Sequence, residues 1–263
     1  MYDPALKRLL DQKVLLYNQP SFIEKDPVSI PHRFTKLQDI EISGFFAALL
    51  AWGNRTSIIN SCTRLLQAMD GAPYDFVRNF RDTDLKPLLH FVHRTFNATD
   101  LFYLLHFLQF HYSKHESLEA AFAQFINRES TDITQALTGF HQYVFSLPQA
   151  PERTRKHIAT PARKSACKRL NMYLRWMVRN DGAKAKTGTL VDFGLWKNIS
   201  PAQLICPLDV HVARVARRLN LLERKQDDWH AAVELTGKLK ALSPDDPVQY
   251  DFALFGLGVI EKF

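Results

Sequence analysis

Apolar residues recur along this chain at helical spacing almost throughout, and the strict alternation of a half-buried strand is nearly absent. The segment EISGFFAALLAW, Glu41–Trp52, is apolar over more residues than an ordinary strand spans, and this predicts a buried helix. Next comes TSIINSCTRLLQAM, which places Ile58, Ile59, Cys62, Leu65, Leu66 and Met69 on one face of a second helix. ATDLFYLLHFLQFHY and SLEAAFAQFI predict two more, capped by Thr99 and Ser117, with Glu116 and Glu119 favouring the first turns. Near the C-terminal end, Val212, Val215, Ala216, Leu219 and Leu222 keep the same spacing, so a helix starts at about Val210. NQPSFIEKDPVSIPHRF, SLPQAPERTR and NDGAKAKTGT read as loops, being rich in Pro, Gly, Asn or charge. No fixed-period repeat is visible. The expectation is an all-α protein with two helical lobes and a cleft. Residues 41–200 form a central lobe, and residues 1–40 with 201–263 form the other.

Composition adds a charge and a compartment. The chain has 263 residues, with 34 Lys and Arg against 27 Asp and Glu, a formal charge of +7. Such an excess suggests a polyanionic partner. It is concentrated between Arg153 and Lys186, where Asp181 is the single acid, and aromatic and apolar residues interleave with it in RLNMYLRWMVR. A solvated basic face explains such a run, but its lack of acids favours a phosphate-binding surface. Cys62, Cys167 and Cys206 make no CxxC pair, which argues for a reducing compartment and against a disulfide framework. MYDPALKRLLDQ lacks the apolar core of a signal peptide, and no apolar run approaches the ~20 residues of a membrane span. The chain thus reads as cytoplasmic, with no membrane partner.

Two candidate chemistries are weak. His111 and His115 are four apart, but no third ligand is evident, so they read as surface or boundary residues and no metal is expected. GLGV near the end lacks the helix and strand of a dinucleotide site. The stretch CPLDVHVARVARRLNLL is more informative. Asp209 precedes the helix at its N-cap, where Asp is favoured and contributes on the order of 1 kcal/mol. A capping carboxylate is also held in one rotamer, so a cap and a catalytic carboxylate are compatible.

PLDVHVARVARRLNLL resembles the VDTHVxRVxxRL segment of the helix-hairpin-helix DNA glycosylases, the endonuclease III superfamily, in which the Asp before the His is catalytic. Three further stretches resemble that family in the same order. EISGFFAALLAWGNRTSIINSCTRLL is similar to its early helix pair, whose joining loop probes the base stack. KSACKRLNMYLRW is similar to the helix carrying the catalytic lysine. DDPVQYDFALFGLGVIEKF is similar to the last helix, nearest to the archaeal 8-oxoguanine glycosylases. More narrowly, the chain resembles an uncharacterised bacterial family of unknown function, which supplies no activity. There are departures. IATPARKSACKRL has no glycine where the superfamily hairpin has LPGVGxKTA, so the hairpin must be remodelled. An insertion, NDGAKAKTGTLVDFGLWKNIS, separates lysine from aspartate, and the iron–sulfur cysteines of some members are missing.

The resemblance implies removal of a damaged purine, such as an oxidised guanine, from double-stranded DNA by a monomeric glycosylase with AP-lyase activity and no cofactor or iron–sulfur cluster. Its alternative is a non-catalytic DNA-binding protein. The implied catalytic residues are Lys168 and Asp209. Lys164, four residues earlier and so on the same helix face, is the other candidate nucleophile. Arg169 and Lys164 would favour a neutral amine. Trp52, Asn54, Arg55, Arg163, Lys164, Arg169, Arg175, His211 and Arg214 are the implied DNA contacts. Lys262 and Phe263 are implied at the base pocket, against the commoner alternative of a frayed terminus.

Overall fold

A computed structural model describes residues 3–127, 129–181 and 190–263. Residues 182–189 of the loop expected at 180–189 lie outside the described residues, as do Lys184 and Lys186 of the basic run. The described chain is mostly helical. In chain order the helices are α1 Pro4–Tyr17, α2 Leu37–Leu50, α3 Arg55–Gln67, α4 Pro73–Asn79, α5 Ala98–Tyr112, α6 Ala120–Ala123 and α7 Thr134–Val144. α8 Lys168–Val178, α9 Val210–Arg218, α10 Trp229–Leu242 and α11 Tyr250–Phe255 follow. Between α4 and α5 a short antiparallel ribbon pairs β1, Val92–His93, with β2, Phe96–Asn97. Among the described residues no helix is long and apolar enough to cross a membrane.

The chain forms two compact units. One comprises Met1–Phe22, Ile126–Gln135 and Thr160–Phe263; the other comprises Ile23–Phe125 and Ala136–Ala159. Residues 23–40 thus fall with α2, and residues 160–200 fall with the C-terminal part of the chain.

In the Ile23–Ala159 unit, α2 is buried on every side from Ile40 to Leu50, in keeping with its unbroken apolar sequence. The one acid of this buried stretch, Glu41, is satisfied internally: it accepts from Tyr112 Oη at 2.9 Å, Ser117 Oγ at 2.5 Å and Leu118 N at 3.0 Å. α3 keeps Ile58, Ser61, Cys62, Leu65 and Leu66 buried, while Thr56, Ser57, Asn60, Arg64 and Gln67 are exposed. Two expected caps differ. α5 is capped by Asn97, whose side chain accepts from Thr99 N at 3.1 Å while Asp100 accepts from Asn97 N at 3.0 Å. Thr99 is therefore already inside the first turn. α6 is a single turn, and Ser117 Oγ, besides accepting from Glu119 N at 3.1 Å, is bound to Glu41. His111 is fully buried rather than at the surface. It contacts Ser117 O at 2.9 Å and Tyr143 Oη at 3.2 Å, and burial pushes its pKa down to about 4.

In the other unit α1 packs on α11 and α11 on α9. α8 buries Tyr173 and Trp176, but also Arg175, and Arg179 at its C-cap is buried as well. Arg179 Nη1 lies 2.9 Å from Asp192 Oδ2 and 3.7 Å from Asp181 Oδ2, and its Nε lies 3.0 Å from Asp246 Oδ2. Asp192 also accepts from Arg175 Nε at 3.2 Å. Arg175 and Arg179 are both over 90% buried, as is Asp192.

Removing one member of such a network strands its partners in low dielectric. Arg179→Met is expected to lower stability by about 3–5 kcal/mol in urea unfolding. Lys36→Met, which breaks the exposed Lys36–Asp75 pair, is expected to cost no more than about 1 kcal/mol.

Candidate functional site

The site begins at an unusual helix entry. Thr160 caps a short 3-10 turn, Pro161–Arg163, with Ala162 N donating to its Oγ1 at 3.3 Å. Lys164 is then left-handed, with φ 59°, and Cys167 is left-handed again, with φ 50°. Between them the chain is pinned in a bridge to Asp228, and Trp229 N donates to Lys164 O at 3.1 Å. Left-handed residues cannot continue an α-helix. Consequently α8 starts at Lys168, and Lys164 sits one turn of irregular chain earlier instead of on the same helix face.

Lys168, the first residue of α8, points its Nζ to 3.7 Å from Asp209 Oδ2; both side chains are partly exposed. Asp209 is the N-cap of α9 in extended backbone, and its Oδ1 accepts from His211 N at 2.9 Å and Val212 N at 3.0 Å. One oxygen thus holds the helix end and the other faces the ammonium. Both residues belong to the same compact unit.

A second carboxylate lies close by. Asp251 of α11 is buried and ion-paired to Arg175 Nη1, whose guanidinium carbon stands 4.2 Å above the Phe252 ring. Burial pushes the Asp251 carboxyl up to about 6; Arg175 opposes this, Asp209 adds to it and Lys168 opposes it. Asp251 is therefore within electrostatic reach of the Lys168–Asp209 pair. The Cys206 thiol is raised chiefly by burial, and also by Asp251 and Asp209. The sequence reading missed Asp251, although one signal was available: an acid inside the apolar run YDFALFGL has to be buried with a partner.

The other expected residues are scattered. Arg175 is no DNA contact, because its guanidinium is held in the core by Asp192 and Asp251. Arg153 and Arg155 of the basic run are likewise paired, with Asp100 and Glu152. Arg163 and Lys164 are exposed; Arg169 is half-buried, and burial lowers its pKa. His211 is exposed on the first turn of α9. Arg214 holds the end of the chain, donating to Gly258 O at 2.7 Å and Phe263 O at 3.2 Å. The Phe263 ring lies 5.6 Å from the Arg218 guanidinium carbon, and Lys262 is exposed. Trp52, Asn54 and Arg55 lie in the other unit. Trp52 is 52% exposed, so it is no core residue, and Arg94 covers its ring at 4.5 Å. Gly53 has φ 114°, a backbone conformation that favours glycine, and a Cβ there would stand 2.7 Å from Arg94 Nη1, so the arginine would have to shift. Asn54 caps α3 by accepting from Ser57 N at 3.3 Å, and Arg55 is its first residue. Among the described residues no group of three His, Cys, Asp or Glu is placed to hold a metal, and the three cysteines are buried free thiols.

The family model described as Protein of unknown function (DUF2400) matches residues 26–260, and the chain belongs to that family. No curated protein and no solved structure matches the chain. The likeness to helix-hairpin-helix DNA glycosylases is corrected by this match: the family found is one of unknown function, and nothing identifies a glycosylase family. The segment compared with the hairpin supplies a physical reason. It forms one three-residue turn and two left-handed residues before α8 begins at Lys168, with no α-helix in it ahead of the turn.

The raised Asp251 pKa has a definite consequence for stability. Between about pH 4 and 6 the unfolded carboxyl has lost its proton while the folded one retains it, so this group's contribution falls as pH rises, by up to about 3 kcal/mol. His111, folded pKa about 4, acts in the opposite direction over the same range, because the unfolded ring takes up a proton first as pH falls. Urea unfolding of wild type and Asp251→Asn at several pH values isolates the Asp251 part. The variant is expected to gain stability relative to wild type as pH rises from 4 to 6, and parallel curves would refute the buried, protonating carboxyl.

Proposed function

We propose that Lys168 and Asp209 form the catalytic centre of a DNA glycosylase with AP-lyase activity that removes a damaged purine, such as an oxidised guanine, from duplex DNA. The observation that carries this reading is the 3.7 Å approach of Lys168 Nζ to a carboxylate whose other oxygen is fixed by two backbone N–H groups. A primary amine beside an oriented carboxylate suits attack at a carbon that develops positive charge. The anomeric carbon of a nucleoside is such a centre, and Asp209 stabilises the charge as the base departs. The basic composition suits a polyanionic substrate, and a base inside a duplex has to be flipped out before its bond can be cut.

The steps balance. The neutral amine of Lys168 bonds to C1′ while the C1′–N bond breaks, and the base leaves with the electron pair and is protonated from solvent. The attached nitrogen loses a proton, the sugar ring opens as O4′ gains one, and a protonated Schiff base results. Loss of a C2′ proton then expels the 3′ phosphate. The amine must give up its ammonium proton first, and the Asp209 carboxylate, 3.7 Å away, is placed to take it up.

A second reading is a DNA-binding protein without catalysis. What favours it is that capping α9 accounts for the presence of Asp209 without any chemistry.

Duplexes that each carry one lesion separate the two. With borohydride the wild type is expected to form a covalent protein–DNA adduct; Lys168→Gln should abolish it, while Lys164→Gln should still form it. Asp209→Asn keeps a capping side chain, so melting and duplex affinity should stay near wild type while base release falls by two or more orders of magnitude. Base release with no adduct would mean attack by water. Neither release nor adduct on any lesion would leave the non-catalytic reading.

A further inference from the structure

The outward face of α3 has an unusual composition. Thr56, Ser57, Asn60, Thr63, Arg64 and Gln67 repeat at the same helical spacing as the buried stripe, one face over, and between Glu41 and Asp70 the chain has no acid. Asn54, Thr56, Ser57, Asn60, Thr63 and Arg64 line an open groove of about 710 Å³. Exposed arginines stand beside it. Arg33 Nη1 donates to Thr63 Oγ1 at 2.9 Å, and Arg94 lies over the exposed Trp52 ring at the α3 entry. Two buried groups report the charge around this helix. The electrostatic influences on His93, which is bonded to Ser61 Oγ at 2.9 Å, come from Arg94 and Arg64, and that on Cys62 comes from Arg33. All three are cations.

We propose that the exposed face of α3, with Arg33, Arg64 and Arg94, is a docking surface for the sugar–phosphate backbone of nucleic acid. The inference rests on the reading of the protein as DNA-binding, and it assigns backbone contacts to the unit that does not hold Lys168. The chemistry selects the partner. Guanidinium groups fork onto phosphate oxygens, and Ser, Thr and Asn donors are common backbone contacts. From Thr56 to Gln67 the stripe runs about 16 Å at 1.5 Å per residue, long enough to follow a repeating polyanion. An exposed indole among cations suits stacking with a base. A membrane surface would call for a broad apolar face, and the groove has none.

The test uses the full chain and an undamaged fluorescent duplex, with affinity followed across salt concentration. Arg33→Gln/Arg64→Gln/Arg94→Gln is expected to weaken low-salt binding at least tenfold. It should also flatten the slope of log K against log salt by about 2–3, at roughly 0.9 per phosphate contact. Asn60→Lys exchanges a neutral donor of the groove for a cation, and is expected to tighten binding and steepen the slope by about 1. This second variant keeps the test valid should the triple variant fail to fold. Wild-type binding that neither variant alters overturns the docking surface while leaving the glycosylase reading standing. Loss of base release with the docking slopes as expected overturns only the glycosylase reading. Variant effects confined to anionic vesicles or acidic peptides, with duplex binding unchanged, also overturn the proposal.

Discussion

Asp192 accepts from two arginines, one inside α8 and one at its C-cap, and the candidate site hangs from that arrangement. Arg175 of α8 and Arg179, the residue that caps its C-terminal end, reach the two oxygens of a fully buried carboxylate. Neither arginine could remain charged in the core without such a partner, since an isolated buried charge costs several kcal/mol. Arg175 then spans to Asp251 on α11, and Arg179 to Asp246 just before it. The result is a charge network that fixes the rotation of α8 about its own axis relative to α11. Lys168 is two turns before Arg175 on the same helix, so the rotation that buries Arg175 also decides where the Lys168 ammonium points.

The second constraint is the end of α9. Its first N–H groups need acceptors, and Asp209 supplies one oxygen to two of them. The other oxygen is thereby aimed, and it meets Lys168. Structural and chemical roles are joined in one side chain. For that reason substitution by Asn, which keeps the cap, is more informative than substitution by Ala, which removes both. Asp251 adds a third charge whose protonation is set by burial against Arg175. The site therefore combines an amine, a fixed carboxylate and a buried carboxyl near neutrality, each held by a different helix.

Local features of the site were legible in the chain. The apolar spacing after Asp209 marks the α9 start, and the carboxylate before it marks the cap. The α3 stripe and the burial of α2 follow from periodicity and apolar length. Charge was misread. Between Arg153 and Lys186 the chain looks like a basic face, but Arg153, Lys168, Arg175 and Arg179 meet acids that arrive from elsewhere, among them Asp100, Asp209, Asp192 and Asp251. A count along the sequence cannot see a partner supplied by tertiary contact. Lys164 was misplaced for a different reason: two left-handed residues hold α8 to a start at Lys168, and neither is a glycine that would have announced the turn.

Sequence by itself determined the helical class, the buried character of α2, the amphipathic faces of α3 and α9 and the capping of α9 by Asp209. All of these are set by interactions within a few residues of the chain, through helical periodicity and unsatisfied backbone groups. Only the tertiary structure decided which arginines are buried and which exposed, that Asp251 joins the site, and that Lys168 rather than Lys164 meets Asp209. Each of those depends on a partner many residues away. Electrostatic free energy depends on distance and burial, and both are properties of the folded chain.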